Sequence, residues 1–432
     1  MEDERLDAVV VGAGPAGAAA ALTLARAGLE VVVLERGSFS GSKNLMGGIL
    51  YHQPTEEIVP GFADQAPLER PIFEQRYMML TEDAHIALSY RTQQFAQQPY
   101  NAYSVLRADW DQWFATQAEE AGAFIIPEMV VSDLLWKDGR VDGVTTGQPD
   151  GDLRANVVVL CDGANSLLAQ KAGMHREWQP HEQALVAKEL IKLDEDTINA
   201  RFNLHDGMGV AMEIFGASTA YLLGYGFIYT NRDTLSVGTG ALLSDLIETG
   251  LNVSDILNRF KAHPSIAPLI EGGETVEYSA KLIPERGWQA MPTLYADGVL
   301  VAGDAAMFSN PLNREGANLA MISGRLAAET ITRARERKDY SAATLSYYRE
   351  LLEDSVVFKD LHKIRNVTDF AHERPYLLDE IPEAVSLALR TYLTVDGEPK
   401  KAKQAAILKL LKRNMPFGRT LRDFAGARKA FG

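Results

Sequence analysis

Cysteine is nearly absent from this chain: Cys161 is the only one in 432 residues. A single thiol excludes an internal disulfide. It also excludes a cysteine-ligated iron–sulfur cluster or a multi-cysteine zinc site held by this chain alone. Positive charge is scarce too. There are 43 Lys and Arg against 58 Asp and Glu, a net −15 at pH 7, which argues against nucleic acid as a partner. Charge of either sign is missing from residues 8–25, yet three glycines and a proline break that run. It fits a turn between two elements better than a membrane span. Asp3, Glu4 and Asp7 precede it, where a signal peptide would carry a basic segment. No other run is long enough to span, so a soluble or peripheral intracellular protein is expected. No repeat or low-complexity segment stands out. With 46% apolar residues, the chain can bury a large core and should hold two or three domains.

What is present begins at the first strand. Ala8, Val9, Val10 and Val11 lead into Gly12-Ala13-Gly14-Pro15-Ala16-Gly17, then an Ala/Leu-rich stretch, then Val31-Val32-Val33-Leu34 and Glu35. The pattern is strand, glycine turn, helix, strand, acid. Gly12 makes the tight turn, Gly14 lets the backbone approach a pyrophosphate, and Gly17 lets the helix pack on the strand. Glu35, eighteen positions after Gly17, is placed to bind a ribose hydroxyl.

A second signal lies far downstream. Residues 298–302 read as a buried strand ending in Gly303-Asp304, and Gly316-Ala317-Asn318 starts a helix that runs through Ser323, Gly324 and Ala328. This resembles FAD enzymes of the aromatic-hydroxylase structural class. In them the Gly-Asp carboxylate meets the ribityl chain of the flavin and the helix N-terminus faces the ring. Alone, Asp304 reads equally as a helix cap. Val157-Val158-Val159-Leu160-Cys161 followed by Asp162-Gly163 resembles a third motif of the same class, although Asp-Gly is also a common turn. Arg107 stands where this class uses an arginine near the flavin; an exposed arginine at a helix start is the alternative. Cys161 reads as a small core residue rather than a reactive thiol.

The chain as a whole resembles the electron-transfer-flavoprotein:quinone oxidoreductases, in particular the FixC type. The resemblance rests on the glycine turn, on Gly41-Ser42-Lys43-Asn44-Leu45-Met46-Gly47-Gly48, on Ala187-Lys188-Glu189, on His263-Pro264-Ser265-Ile266 with Glu271-Gly272-Gly273, on Gly303-Asp304, and on Ala320-Met321-Ile322-Ser323-Gly324. The Lys43 loop can offer backbone N–H groups and one cation to an electron-rich ring edge; a plain mobile loop is its alternative. The cofactor implied is FAD. The site expected for it comprises Gly12, Gly14, Pro15, Ala16, Gly17, Glu35, Arg36, Lys43, Met46, Gly47, Gly48, Arg107, Val130, Asp162, Gly163, Gly303, Asp304, Gly316, Ala317 and Asn318. No catalytic acid or base and no metal site is expected, because the flavin carries the chemistry. His85, His181 and His263 read as structural. Longer family members hold an iron–sulfur cluster on four C-terminal cysteines, which this chain lacks. The resemblance therefore implies a separate ferredoxin-like iron–sulfur subunit, electron-transfer flavoprotein alpha and beta subunits, and a membrane quinone. It further implies an electron-bifurcating complex, located in the cytoplasm and peripheral on the inner face of the cell membrane.

The expected fold is α/β. An FAD-binding Rossmann-like domain of the aromatic-hydroxylase structural class takes residues 1–75, 100–180 and 285–335. A β-rich α+β domain on the quinone side takes 76–99 and 185–285, and a helical C-terminal region takes 336–432. The tail is the one basic segment. Residues 399–432 hold ten Lys and Arg and one acid, a net +9 against −15 for the whole chain, so the first 398 residues carry −24. Ile407, Leu408, Leu410, Leu411 and Met415 fall on one side of a helix, with Lys409, Lys412 and Arg413 on the other. That suits anionic lipid or docking on protein. Three other functions share the fold or cofactor: a prenyl-lipid (geranylgeranyl) reductase, a non-catalytic FAD-binding scaffold, and a flavin monooxygenase.

Overall fold

The run Ala8–Val11 is apolar on every side, which suits a strand covered on both faces of a parallel sheet. In the computed structural model it is the centre of one. The structure describes residues 5–43, 48–149, 151–310, 312–313 and 315–431. Met46 and Gly47, both expected at the cofactor, lie outside the described residues, as do Asn44 and Leu45. Strand β1 (Leu6–Val11) pairs in parallel with β2 (Val31–Leu34) and with Asp152–Leu160. The strand Val299–Val301 adds in parallel beyond Asp152–Leu160, and Phe124–Ile126 beyond β2. An antiparallel ribbon, Asp133–Lys137 with Arg140–Thr145, extends from the start of Asp152–Leu160.

Two helices matter most here: α1 (Pro15–Arg26), which follows the glycine turn, and Ala317–Arg337. Both are rich in small residues, so their backbones come close. A Cβ at Gly17 would lie 1.8 Å from the Gly12 carbonyl oxygen, and one at Gly324 would lie 2.0 Å from that of Ala16. Gly12 itself has φ +97° and abuts the Cys161 carbonyl.

The chain divides into two compact units. The first comprises Met1–Glu69, Pro99–Gln183 and Lys281–His362 and holds the parallel sheet. The second comprises Arg70–Gln98, Ala184–Ala280 and Lys363–Gly432. Residues 336–362 thus belong to the first unit and 363–432 to the second. The second unit is built on a largely antiparallel sheet, in which Gln183–Lys192, Thr234–Leu242, Gly224–Thr230 and Gly209–Gly216 follow in order. Gly209–Gly216 then pairs in parallel with Leu68–Leu80, which forms a hairpin with His85–Arg91. The strand Gly224–Thr230 follows a tight turn. Ala220 and Tyr221 both adopt left-handed conformations ahead of it. The tail forms two helices, Lys400–Asn414 and Phe417–Ala430. Among the described residues, no helix is long and apolar enough to cross a membrane.

Replacing an interior helical glycine by alanine ordinarily stabilises by up to about 1 kcal/mol. Gly324→Ala should do the reverse, because its methyl group meets the Ala16 carbonyl. The expected loss is about 2–3 kcal/mol, read as a lower urea midpoint of the FAD-loaded protein. An unchanged or higher midpoint would show that the two helices can separate without cost.

Candidate functional site

Four adjacent parallel strands end on one side of the first unit's sheet, and each is followed by one of the residues singled out above. β1 runs into Gly12, β2 into Glu35, Asp152–Leu160 into Cys161-Asp162, and Val299–Val301 into Gly303-Asp304. The carboxyl ends of parallel strands are where α/β sheets bind ligands.

Glu35 is buried, and its carboxylate holds the turn in place. Oε2 accepts the Ala13 N–H at 2.9 Å and Oε1 accepts the Gly37 N–H at 2.6 Å. The Ser40 hydroxyl donates to the Ala13 carbonyl. Each carboxylate oxygen retains a second lone pair for a ligand hydroxyl. The N–H groups of Glu128 and Met129 bond to the carbonyls of Gly37 and Glu35. That brings exposed Val130 beside the acid. Arg36 and Lys43 are exposed.

Asp162 accepts the Leu168 N–H through Oδ2 at 3.2 Å. Its Oδ1 is buried without a hydrogen-bond partner, and burial pushes the carboxyl up. Asp304 sits in the short turn Gly303–Ala306, not in a long helix. Burial raises its carboxyl as well, against the pull of Lys281 and Arg107. Gly303 has φ +67°, and a Cβ there would lie 2.8 Å from that of Ala16, so this turn touches the first one. The Ala317–Arg337 helix starts at Gly316 without a side-chain cap, leaving the backbone donors of its first turn for a ligand.

These features fit a dinucleotide. A Cβ at Gly14, Gly163 or Gly316 would meet nothing within 4 Å, so the backbone at each point is open to close approach. The orphaned Asp162 oxygen and the uncapped helix add an acceptor and donors of the kind such a ligand needs.

Arg107 is the first residue of the helix Arg107–Glu120. Its guanidinium is tied two-pronged to Asp111, Nε to Oδ1 and Nη2 to Oδ2, each at 2.9 Å. The pair packs beside both stems of the Lys43 loop. A Cβ at Gly41 would come 2.9 Å from Asp111 Cβ, and one at Gly48 would come 3.7 Å from Arg107 Cδ. Sequence reasoning passed over Asp111 and Lys281. The four-residue spacing of Arg107 and Asp111 was visible in the chain. Lys281 stands alone in its strand and had no such signal; burial lowers its ammonium pKa, with Asp304 opposing. Cys161 is half-buried against the core, and desolvation pushes its thiol well up, the state of an inert thiol. His263 Nε2 donates to the Thr81 carbonyl at 2.8 Å, and its Nδ1 accepts the Ser265 N–H at 3.1 Å.

Comparison with known proteins accounts for this arrangement. Residues 7–205 match the family described as FAD dependent oxidoreductase, and residues 367–432 match the ETF-QO/FixC family C-terminal domain. Protein FixC of Azorhizobium caulinodans is 45% identical over 436 residues, covering 100% of this chain and 97% of that protein. The chain belongs to the ETF-QO/FixC family. A probable electron transfer flavoprotein-quinone oxidoreductase of Escherichia coli, YdiS, is 40% identical over 95% of this chain and 98% of its own length. The fold is shared with a geranylgeranyl bacteriochlorophyll reductase-like protein from Thermoplasma acidophilum. That pair has a TM-score of 0.73 at 21% identity, over 96% of this chain and 97% of the other. At that identity the likeness concerns fold alone. The FixC-family chain is thus an FAD-dependent oxidoreductase with a mixed α/β fold and a helical C-terminal segment.

One further acid lies outside this line. Burial pushes the Glu285 carboxyl from its ordinary 4.5 up to about 8. Its folded value exceeds its unfolded one, so the native state holds a proton that the unfolded chain has released. Stability should therefore fall as pH rises from about 4.5 to about 8. Glu285→Gln should flatten that part of the profile and raise the thermal midpoint near pH 8. Parallel profiles for variant and wild type would show that Glu285 ionises normally.

Proposed function

We propose that this chain takes electrons from an electron-transfer flavoprotein and delivers them, through bound FAD, to a membrane quinone. The observation that carries the reading is the row formed by the Gly12 turn, Glu35, Asp162 and Asp304 at the ends of four adjacent parallel strands. FAD, when bound, supplies the group that accepts and donates electrons. The chain's part is to bind and orient it. Gly12, whose own N–H is bonded to the Leu34 carbonyl, makes the turn, and Pro15, which has no N–H, starts α1. Gly14, Ala16 and Gly17 offer the backbone donors for the pyrophosphate, while Glu35 takes the ribose, flanked by Arg36 and Val130. Asp162 and Gly163 meet the middle of the cofactor. Gly303, Asp304 and the start of the Gly316-Ala317-Asn318 helix meet the flavin half. Arg107 acts there alongside Asp304, and Lys43 and Gly48 are assigned to the ring edge; Met46 and Gly47, assigned with them from the sequence, lie outside the described residues.

The absence of a cysteine cluster supports a separate ferredoxin-like iron–sulfur subunit beside the alpha and beta subunits of the electron-transfer flavoprotein. The names of the relatives support the quinone and flavoprotein partners, and coupling of the two electron paths by bifurcation is part of the same proposal. The C-terminal helices supply a contact for the inner face of the membrane. Lys409, Lys412, Arg413, Arg422, Arg428 and Lys429 are exposed on them. So are Leu408, Leu421 and Phe424, the last at 75% of its surface.

Two experiments test the reading. Glu35→Ala should weaken FAD binding by about 1.5–3 kcal/mol, the range for a hydrogen bond to a charged group, measured as FAD released on dialysis. Retention equal to wild type would remove Glu35 from the site. For the membrane contact, point substitution is better than truncation. Asp423 in the last helix holds Arg374 at 3.2 Å and Tyr376 at 2.6 Å, so removing the tail would unsettle the second unit. Lys409→Ser with Lys412→Ser and Arg413→Ser should leave FAD in place, reduce sedimentation with anionic vesicles and slow quinone reduction. Wild-type attachment should also weaken with salt, as the Debye length falls from about 10 Å at 0.1 M to about 3 Å at 1 M. Equal sedimentation of variant and wild type would assign the tail to a protein partner.

A further inference from the structure

The second unit carries a cavity that none of this explains. It lies against one face of the hairpin of Leu68–Leu80 with His85–Arg91 and the strand Gly209–Gly216 paired to it, is bounded also by Asn203, Ser265 and Leu269, and has a volume of about 610 Å³. The hairpin's register sets its wall. Glu74 pairs with Arg91, Arg76 with Ser89 and Met78 with Ala87, so these side chains share one face, and Tyr77, Leu88 and Tyr90 point the other way.

Glu74 is buried at 2% exposure, yet it is ionised and fully engaged. Burial would raise its carboxyl, but hydrogen bonds from Ser89, Arg76 and Arg91 overcome that and hold it below its ordinary value. Arg76 gives Nε and Nη2 to Oε1 at 3.1 and 2.8 Å. Arg91 gives Nε and Nη2 to Oε2 at 2.9 and 2.5 Å, and its guanidinium also lies 4.7 Å over the Phe73 ring.

One carboxylate cannot satisfy two guanidiniums, each with five donors. The trio carries a net +1, and two amino groups remain. Arg76 Nη1 has only the Met212 sulfur, at 4.0 Å. Arg91 Nη1 has no hydrogen-bond partner among the described residues. Both arginines line the cavity, each held in place by the buried acid. Such a pair of immobilised forks suits a carboxylate, sulfate or phosphate head. The remaining wall is mixed: Met78, Ala87, Met212 and Leu269 are apolar, two of them the adaptable thioether, while His85, Asn203 and Ser265 are polar, His85 Nδ1 lying 2.9 Å from the Ser265 hydroxyl. The volume is that of a small-molecule site and far exceeds what an inorganic anion fills.

We propose that this cavity binds an amphipathic organic anion, its head on Arg76 and Arg91 and its apolar body along Met78, Met212 and Leu269. The site is independent of the flavin reading: it uses none of the cofactor residues and lies wholly within the second unit.

Titration of the FAD-loaded full chain with dodecyl phosphate, below its micelle concentration, tests this. One saturable site is expected. Arg76→Gln or Arg91→Gln should weaken it at least about tenfold, and Ala87→Trp, which fills the cavity without changing charge, should weaken it similarly. Dodecanol should bind at least about tenfold more weakly than dodecyl phosphate, and inorganic phosphate should not compete at the same concentration. Retained flavin absorbance marks the variants as folded. Wild-type affinity in the folded variants would place the amphiphile elsewhere and overturn the proposal. Equal binding of dodecanol and dodecyl phosphate by the wild-type chain would overturn it without recourse to any variant. Full competition by inorganic phosphate would reduce the site to a simple anion pocket and refute the apolar half.

Discussion

The backbone of Ala16 is approached by other parts of the first unit with no room for an added methyl group. Gly324 brings the Ala317–Arg337 helix onto its carbonyl, and Gly303 brings the Asp304 turn onto its side chain. One residue on, Gly17 closes onto the Gly12 carbonyl. These contacts join the start of α1 to the turn that carries Asp304, although the two lie almost three hundred positions apart in the chain. The residues proposed for the cofactor in both segments share a common frame because the helices touch through backbone. A side chain at any of these glycines would separate the two.

That frame also explains why buried acids are tolerated here. Glu35, Asp162 and Asp304 stand at the ends of parallel strands, in a sheet covered on both faces. Buried carboxylates cost energy unless their oxygens find partners. Glu35 finds two backbone N–H groups, and so serves the turn as well as any ligand. Asp162 finds one, and Asp304 finds the more distant charges of Lys281 and Arg107. The unpartnered Oδ1 of Asp162 is the expected mark of a site meant to be completed by a bound group. The protein otherwise supplies position and charge, which suits a family whose chemistry resides in FAD.

The same logic recurs with opposite sign in the second unit. There a buried acid is satisfied completely and its two arginine partners are not. In a chain of net −15, a rigid local surplus of positive charge lining a partly apolar cavity stands out against its surroundings. The C-terminal helices have a looser version of that surplus, spread over exposed lysines and arginines beside Leu408, Leu421 and Phe424.

How much of this the chain reveals depends on the range of each interaction. The glycine turn, the uncapped helix start and the strand-end acids are local: each is a backbone demand met within a few residues, so spacing alone made them legible. Absence is equally legible, and one cysteine decided where a cluster could not be. The side-chain meetings were not legible. Lys281 reaches Asp304 because two distant segments enter one unit. Glu74 meets Arg91 because the hairpin register brings them opposite, and a shift of one residue would turn both to the other face. Even Arg107, singled out from the sequence, gave no hint that Asp111 and the stems of the Lys43 loop gather around it. Sequence by itself determined the local backbone geometry and the chemistry the chain must borrow. Only the tertiary structure decided which charges meet, because such pairing depends on register and packing between segments far apart in the chain.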